Sequence, residues 1–106
     1  MVDLKQFDVF PNPKRERRAT HPFIVVLQSD LMPNLKTRVV APLIPVTKIA
    51  GWERLMPEVS VAGNRYVISM PDLGAMPVNV MLPAVANLED HRYRIIGAID
   101  LIFTGV

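Results

Sequence analysis

The sequence predicts a mainly β domain, a small antiparallel barrel closed by one C-terminal α-helix. Three observations carry this reading. Nine of the ten prolines stand at or before Pro77, which leaves no space for a helix of useful length before about position 84. Short β-branched runs lie between those prolines. Beyond them the apolar spacing changes from that of strands to that of a helix.

Residues 7–10 read as a first short strand. The uninterrupted run Phe23-Ile24-Val25-Val26-Leu27 reads as a second, buried on both faces or packed at a dimer contact. Residues 38–46 read as a third, bent or held at an edge by Pro42 and Pro45. Residues 58–62 and 65–70 flank Gly63-Asn64 and predict a β-hairpin turning on that pair. A strand at 78–82 completes a sheet of five to seven strands. Asn87 is then the expected N-cap of the helix, with Glu89 and Asp90 at the positive end of its dipole. On a helical wheel Leu88, Ile95, Ile96, Ile99, Ile102, Phe103 and Val106 cover one arc, and Asp90, Tyr93, Gly97, Asp100 and Thr104 the opposite one. Asp90 and Arg94, four apart, are expected to pair. Burying five or so large apolar side chains, at about 1.5–3 kcal/mol each, docks the helix on the sheet.

Composition narrows the chemistry. At 106 residues the chain is expected to be one domain, 1–106, and half its residues are hydrophobic, enough for a core and too many for disorder. The absence of Cys excludes disulfides, thiol nucleophiles and Cys-based metal sites. His21 and His91 are the only histidines, so no metal site and no cofactor are expected. The net charge of +2 is too small to mark a nucleic-acid binder, but Lys14, Arg15, Arg17 and Arg18 put four of the twelve cations into five positions. No apolar run approaches membrane-spanning length, and the first residues lack a signal pattern, so the expected location is cytoplasmic.

No catalytic arrangement emerges. None of Ser29, Ser60 and Ser69 sits in a nucleophile elbow, the five glycines form no phosphate loop, and no carboxylate spacing suggests acid–base work. The chain is therefore not expected to be an enzyme or to take a small-molecule substrate. Two segments remain. The basic stretch at 14–18 is either a solvated loop or a dock for an acidic partner segment or phosphates, acting through Arg forks. The run Leu101-Ile102-Phe103-Thr104-Gly105-Val106, without a polar tail, either packs its last turn or offers it to a partner.

Several motifs in order resemble the CcdB toxins of bacterial toxin–antitoxin systems. They are Gln28-Ser29-Asp30 after an apolar strand, Arg38-Val39-Val40-Ala41-Pro42-Leu43, and Asp72-Leu73-Gly74-Ala75-Met76-Pro77-Val78-Asn79-Val80. Val85-Ala86-Asn87-Leu88 and the ending Ile95-x-x-Ala98-Ile99-x-Leu101-x-Phe103-x-Gly105-Val106 follow. The similarity runs from about Phe7 to the end.

The resemblance implies an SH3-like β-barrel with a C-terminal helix, acting as a homodimer, with the apolar stretch from Met70 to Met81 as its expected interface. It implies a toxin that binds the A subunit of DNA gyrase and traps its cleavage complex on DNA. A CcdA-like antitoxin would neutralise it, and the toxin–antitoxin complex would bind operator DNA and repress its own operon. By position, the gyrase-facing residues would be Leu31, Met32, Asp100, Phe103, Thr104, Gly105 and Val106. The antitoxin-facing ones would be Lys14, Arg15, Glu16, Arg17 and Arg18, and the antitoxin would also reach the helix and compete. The family's gyrase poisons carry a tryptophan where this chain has Thr104, and the sole Trp, Trp52, lies in a distant loop. Poisoning weakened or redirected at that position is one expectation. A MazF-like endoribonuclease on the same architecture, using Arg38 or Arg65 with His21, is the alternative. A binding-only relative that spares its host is a third.

Overall fold

The computed structural model describes residues 2–32, 34–46 and 52–105. Its strands are β1 (Asp8–Pro11), β2 (Phe23–Val26), β3 (Thr37–Pro45), β4 (Glu58–Val61), β5 (Asn64–Ile68), β6 (Gly74–Pro77) and β7 (Ala86–Asn87), followed by helix α1 (Arg92–Thr104). The pairings are antiparallel, in the order β4-β5-β3-β2-β1-β7 with β6 also on β3, and form a nearly closed barrel. The expected class, a small mainly-β barrel with a C-terminal helix, is the one observed. Before α1 only three-residue 3-10 turns occur among the described residues.

Alternation explains the run at 23–27. Val25 and Leu27 join Phe7, Val9, Ala41, Leu43, Ile68 and Met70 in one core, which α1 covers with Ile95 and Ala98. Ile24 and Val26 point the other way, into a second core with Leu4, Phe10, Val40 and Met81. Successive side chains leave a strand on opposite faces, so an unbroken apolar run serves two cores at once. The expected burial on both faces is correct.

Proline placement in β3 is more specific than the sequence allowed. β3 is central, not an edge: residues 37–40 pair with β6 and residues 43–45 with β5. Pro42, which has no N–H, falls at the switch between these partners, and its carbonyl accepts the Ser69 N–H at 2.9 Å. Pro45 is the last strand residue.

The hairpin between β4 and β5 exists but turns one residue earlier than expected. Val61 pairs with Asn64, leaving Ala62-Gly63 as the loop, and both have positive φ (52° and 82°). Such two-residue turns match the strand twist but favour Asn or Gly at the first position. An L-alanine there costs about 1–2 kcal/mol. Replacing Ala62 with Asn should therefore stabilise the protein by about 0.5–1 kcal/mol. The check is a raised denaturant midpoint at fixed protein concentration, and an unchanged or lowered midpoint would contradict the strain.

Two further expectations need correction. Residues 78–82 form no strand: Val78–Val80 is a 3-10 turn, and the strand of that region is β6. Met70 and Met81 are core residues, which removes them from the expected apolar interface. β7, only two residues long, is unmarked in the sequence. It pairs with β1 because Val85 and Leu88 donate their N–H groups to Val9 (2.7 Å) and Phe7 (2.9 Å). Phe7 is fully buried yet has φ 69°, unusual for a bulky residue. Its N–H donates to the Val26 carbonyl at 2.7 Å and the Arg92 guanidinium lies 5.4 Å from its ring, so several contacts hold the strained backbone.

Asn87 is not the N-cap of α1 that the sequence predicts; His91 holds that position without a side-chain cap bond, because a 3-10 turn comes between. Asn87 Oδ1 accepts the Glu89 N–H at 2.8 Å just before that turn (Glu89–His91), which leads into α1 at Arg92. Arg94 turns to His91 Nδ1 (3.2 Å) in place of the expected Asp90 pair, and Arg92 lies 3.7 Å from Glu89.

Candidate functional site

The last turn of α1 has a packed side, Leu101 and Ile102, and an exposed side, Phe103 and Thr104. Ile96 and Phe103 are seven residues apart and share one stripe of the helix. Ile96 packs on the core, whereas Phe103 is 70% exposed. The wheel places Phe103 on the buried arc; in the structure its ring stays exposed although its neighbours Leu101 and Ile102 pack against the core. Val106, placed on the same arc, lies outside the described residues. The opposite arc (Asp90, Tyr93, Gly97, Asp100 and Thr104) is exposed throughout, as expected. Tyr93, 90% exposed, is a large aromatic on this outer arc that the family motifs do not single out. An aromatic on a polar arc was its only sequence signal.

The tip is closed by its own backbone. Gly105 adopts the left-handed conformation (φ 76°), and its N–H donates to the Leu101 carbonyl at 2.9 Å. The Thr104 hydroxyl donates to the Asp100 carbonyl at 2.6 Å, so its proton is engaged within the helix. No basic residue occupies the last turn. The negative end of the helix dipole and the exposed Asp100 carboxylate are thus left together beside the Phe103 ring. This surface suits a partner group that is cationic and has a flat apolar face, as a guanidinium does.

The structure brings Asp100, Phe103, Thr104 and Gly105 together and leaves Leu31 and Met32 elsewhere. Leu31 is 90% exposed in a turn where its N–H donates to Ser29 Oγ at 3.1 Å. Asp30 beside it accepts the Gln6 N–H (2.8 Å), and Gln6 Oε1 accepts from Arg92 at 3.3 Å. The Leu31 turn is therefore tied to the start of α1, and Thr104 lies ~18 Å further along the helix.

The basic stretch forms a second, separate feature. Asn12, almost fully buried, organises it: its Oδ1 accepts the Lys14 N–H (3.0 Å), and its amide donates to the His21 carbonyl (2.9 Å). Arg18 Nε donates to the Asn12 carbonyl at 2.7 Å, so this arginine braces the loop. Lys14, Arg15 and Arg17 are exposed, and their side chains meet no partner among the described residues. Glu16 is exposed between them. The loop thus presents three cations on a fixed turn.

The residues suggested for RNA cleavage do not converge. Arg65 forks onto Glu58 through two bonds of 2.8 and 2.9 Å. That fork holds the Glu58 carboxyl below its ordinary range, with the Arg65 and Arg94 charges adding to the effect. His21 bonds Thr20 Oγ1 at 2.8 Å. Arg38 lies on the strand pair about seven positions from the level of His21, on the order of 20 Å. No cluster of three or more His, Asp or Glu among the described residues is suited to a metal ion. No described helix is long and apolar enough to cross a membrane. A family model described as CcdB protein matches the chain over residues 6–105.

Proposed function

The chain belongs to the CcdB family, a family of toxins of toxin–antitoxin systems that act on DNA gyrase, and from that premise we propose that the exposed tip of α1 is the part that engages the gyrase A subunit. The observation that carries this reading is the 70% exposure of Phe103 on a stripe whose earlier member, Ile96, is packed. A large exposed aromatic at a helix end is an anchor without a pocket of its own, and such anchors dominate binding energy. Asp100 and the negative helix pole steer a cationic group onto the ring. Leu31 and Met32 join the contact only if a second copy supplies them or the target spans both ends of α1, which favours a homodimer as the active form. The fixed cations Lys14, Arg15 and Arg17 suit an acidic antitoxin segment, with Arg18 holding the loop in shape and Glu16 setting register.

No step of this action needs a reacting side chain; harm comes from occupying and holding a partner surface. The test is expression without antitoxin in cells carrying ordinary or toxin-resistant gyrase. Lethality confined to the ordinary gyrase is expected, and equal killing in both would overturn the reading. Cleavage of a long RNA by the purified protein would instead favour the endoribonuclease alternative.

Thr104 offers a methyl group and an engaged hydroxyl where a ring would stack on a guanidinium. Thr104→Trp is expected to tighten gyrase binding by up to about thirtyfold, the value of one cation–π contact. Titration against the isolated A subunit reads this directly; unchanged affinity would make stacking at this position irrelevant.

A further inference from the structure

A different flank of α1 carries a groove that the tip does not use. Trp52, Arg54, Leu55, Leu101 and Ile102 line a volume of about 500 Å3. Leu55 is its buried floor, Leu101 and Ile102 are half-buried, and Trp52 stays 51% exposed. The turn bearing Trp52 is closed by Leu55 and Met56, whose N–H groups donate to the Trp52 carbonyl at 3.0 and 2.8 Å. The ring and Arg54 therefore leave one short turn beside the helix. Arg54 is exposed, and its guanidinium meets no partner among the described residues. Among the described residues it is the single charged side chain in the lining.

We propose that this groove docks a short apolar peptide segment carrying a carboxylate. An apolar side chain of the segment enters between Trp52 and Ile102 over Leu55, and a neighbouring Asp or Glu meets the Arg54 fork. Charge selects this occupant: among the described residues, one guanidinium on an otherwise apolar lining matches one carboxylate beside an apolar residue. A nucleic acid strand would call for a run of cations, which the described residues of the lining lack. Trp and Arg are also the residue types that most often anchor protein contacts. The groove uses Leu101 and Ile102, so a segment seated there leaves the outer arc of Tyr93, Gly97, Asp100 and Thr104 uncovered. The proposal is independent of gyrase action.

Trp52 is the only tryptophan, so its emission reports on the groove alone. The probe is a tryptophan-free peptide, acetyl-Leu-Asp-Phe-Leu-Glu-amide, titrated into the full chain. A saturable change in Trp52 emission is expected, with affinity falling about tenfold or more in Arg54→Glu. Arg54→Gln gives a second, milder variant in which the same direction is expected. The peptide with Lys at both acidic positions should prefer Arg54→Glu over the unaltered chain. An absence of saturation up to millimolar peptide, equal affinity for all three proteins, or saturation by a single-stranded oligonucleotide alone would each overturn the proposal.

Discussion

Truncating Phe103 to Ala is expected to remove most of the toxicity while leaving the protein as stable as before. The ring is largely exposed, so its loss should change stability by no more than about 0.5 kcal/mol. As an interface anchor, however, it should contribute about 2 kcal/mol or more, close to thirtyfold in affinity for the gyrase A subunit. The two effects separate cleanly. Unfolding midpoints of the variant and parent should coincide, while titration against the A subunit and survival of expressing cells should diverge. Undiminished killing at equal soluble protein would remove the helix tip from the contact.

Ile95→Ala should do the reverse, acting on the fold and through it on everything the helix presents. Ile95 is fully buried in the core between α1 and the barrel, in one cluster with Phe7, Met70 and Leu88. Deleting three carbons there removes transfer energy and opens a cavity, a loss of about 2–5 kcal/mol. Against a total of about 5–15 kcal/mol this is a large fraction. Chemical denaturation should show it as a lowered midpoint, with a lower yield of soluble protein. Binding by the fraction that stays folded should be close to normal, because Ile95 is not at the tip. A loss below about 1 kcal/mol would mean that α1 is not docked through this side chain.

These two residues also mark where the sequence is readable. Ile95, Ile96, Ile99 and Ile102 repeat with helical spacing, and the structure packs all four toward the core. Phe103 satisfies the same periodicity and is exposed. Periodicity reports which way a side chain faces, not whether another surface meets it there. The hairpin shows a similar limit. Its two strands are legible from alternating apolar residues, but Gly63-Asn64 and Ala62-Gly63 are both acceptable turns. The ladder pairing of Val61 with Asn64 decides between them, at the expense of a left-handed alanine.

The basic stretch is legible as charge but not as division of labour. Four cations in five positions give no sign that Arg18 turns back to the Asn12 carbonyl while Lys14, Arg15 and Arg17 stay outward. The Trp52 groove has weaker signals still. Its walls come from a turn and a helix nearly fifty residues apart, and no local pattern links them.

From the sequence by itself follow the mainly-β class, the late helix, the doubly buried second strand, the absence of a cysteine-based chemistry and the likeness to a toxin family. All are properties of local spacing and residue type, which act over a few neighbours. The tertiary structure alone decided that β3 is central, that Met70 and Met81 belong to the interior, that Leu31 lies by the start of α1 and that Phe103 stands free. Each of these depends on which distant surface arrives opposite a given side chain, and burial is a property of that pair rather than of either segment.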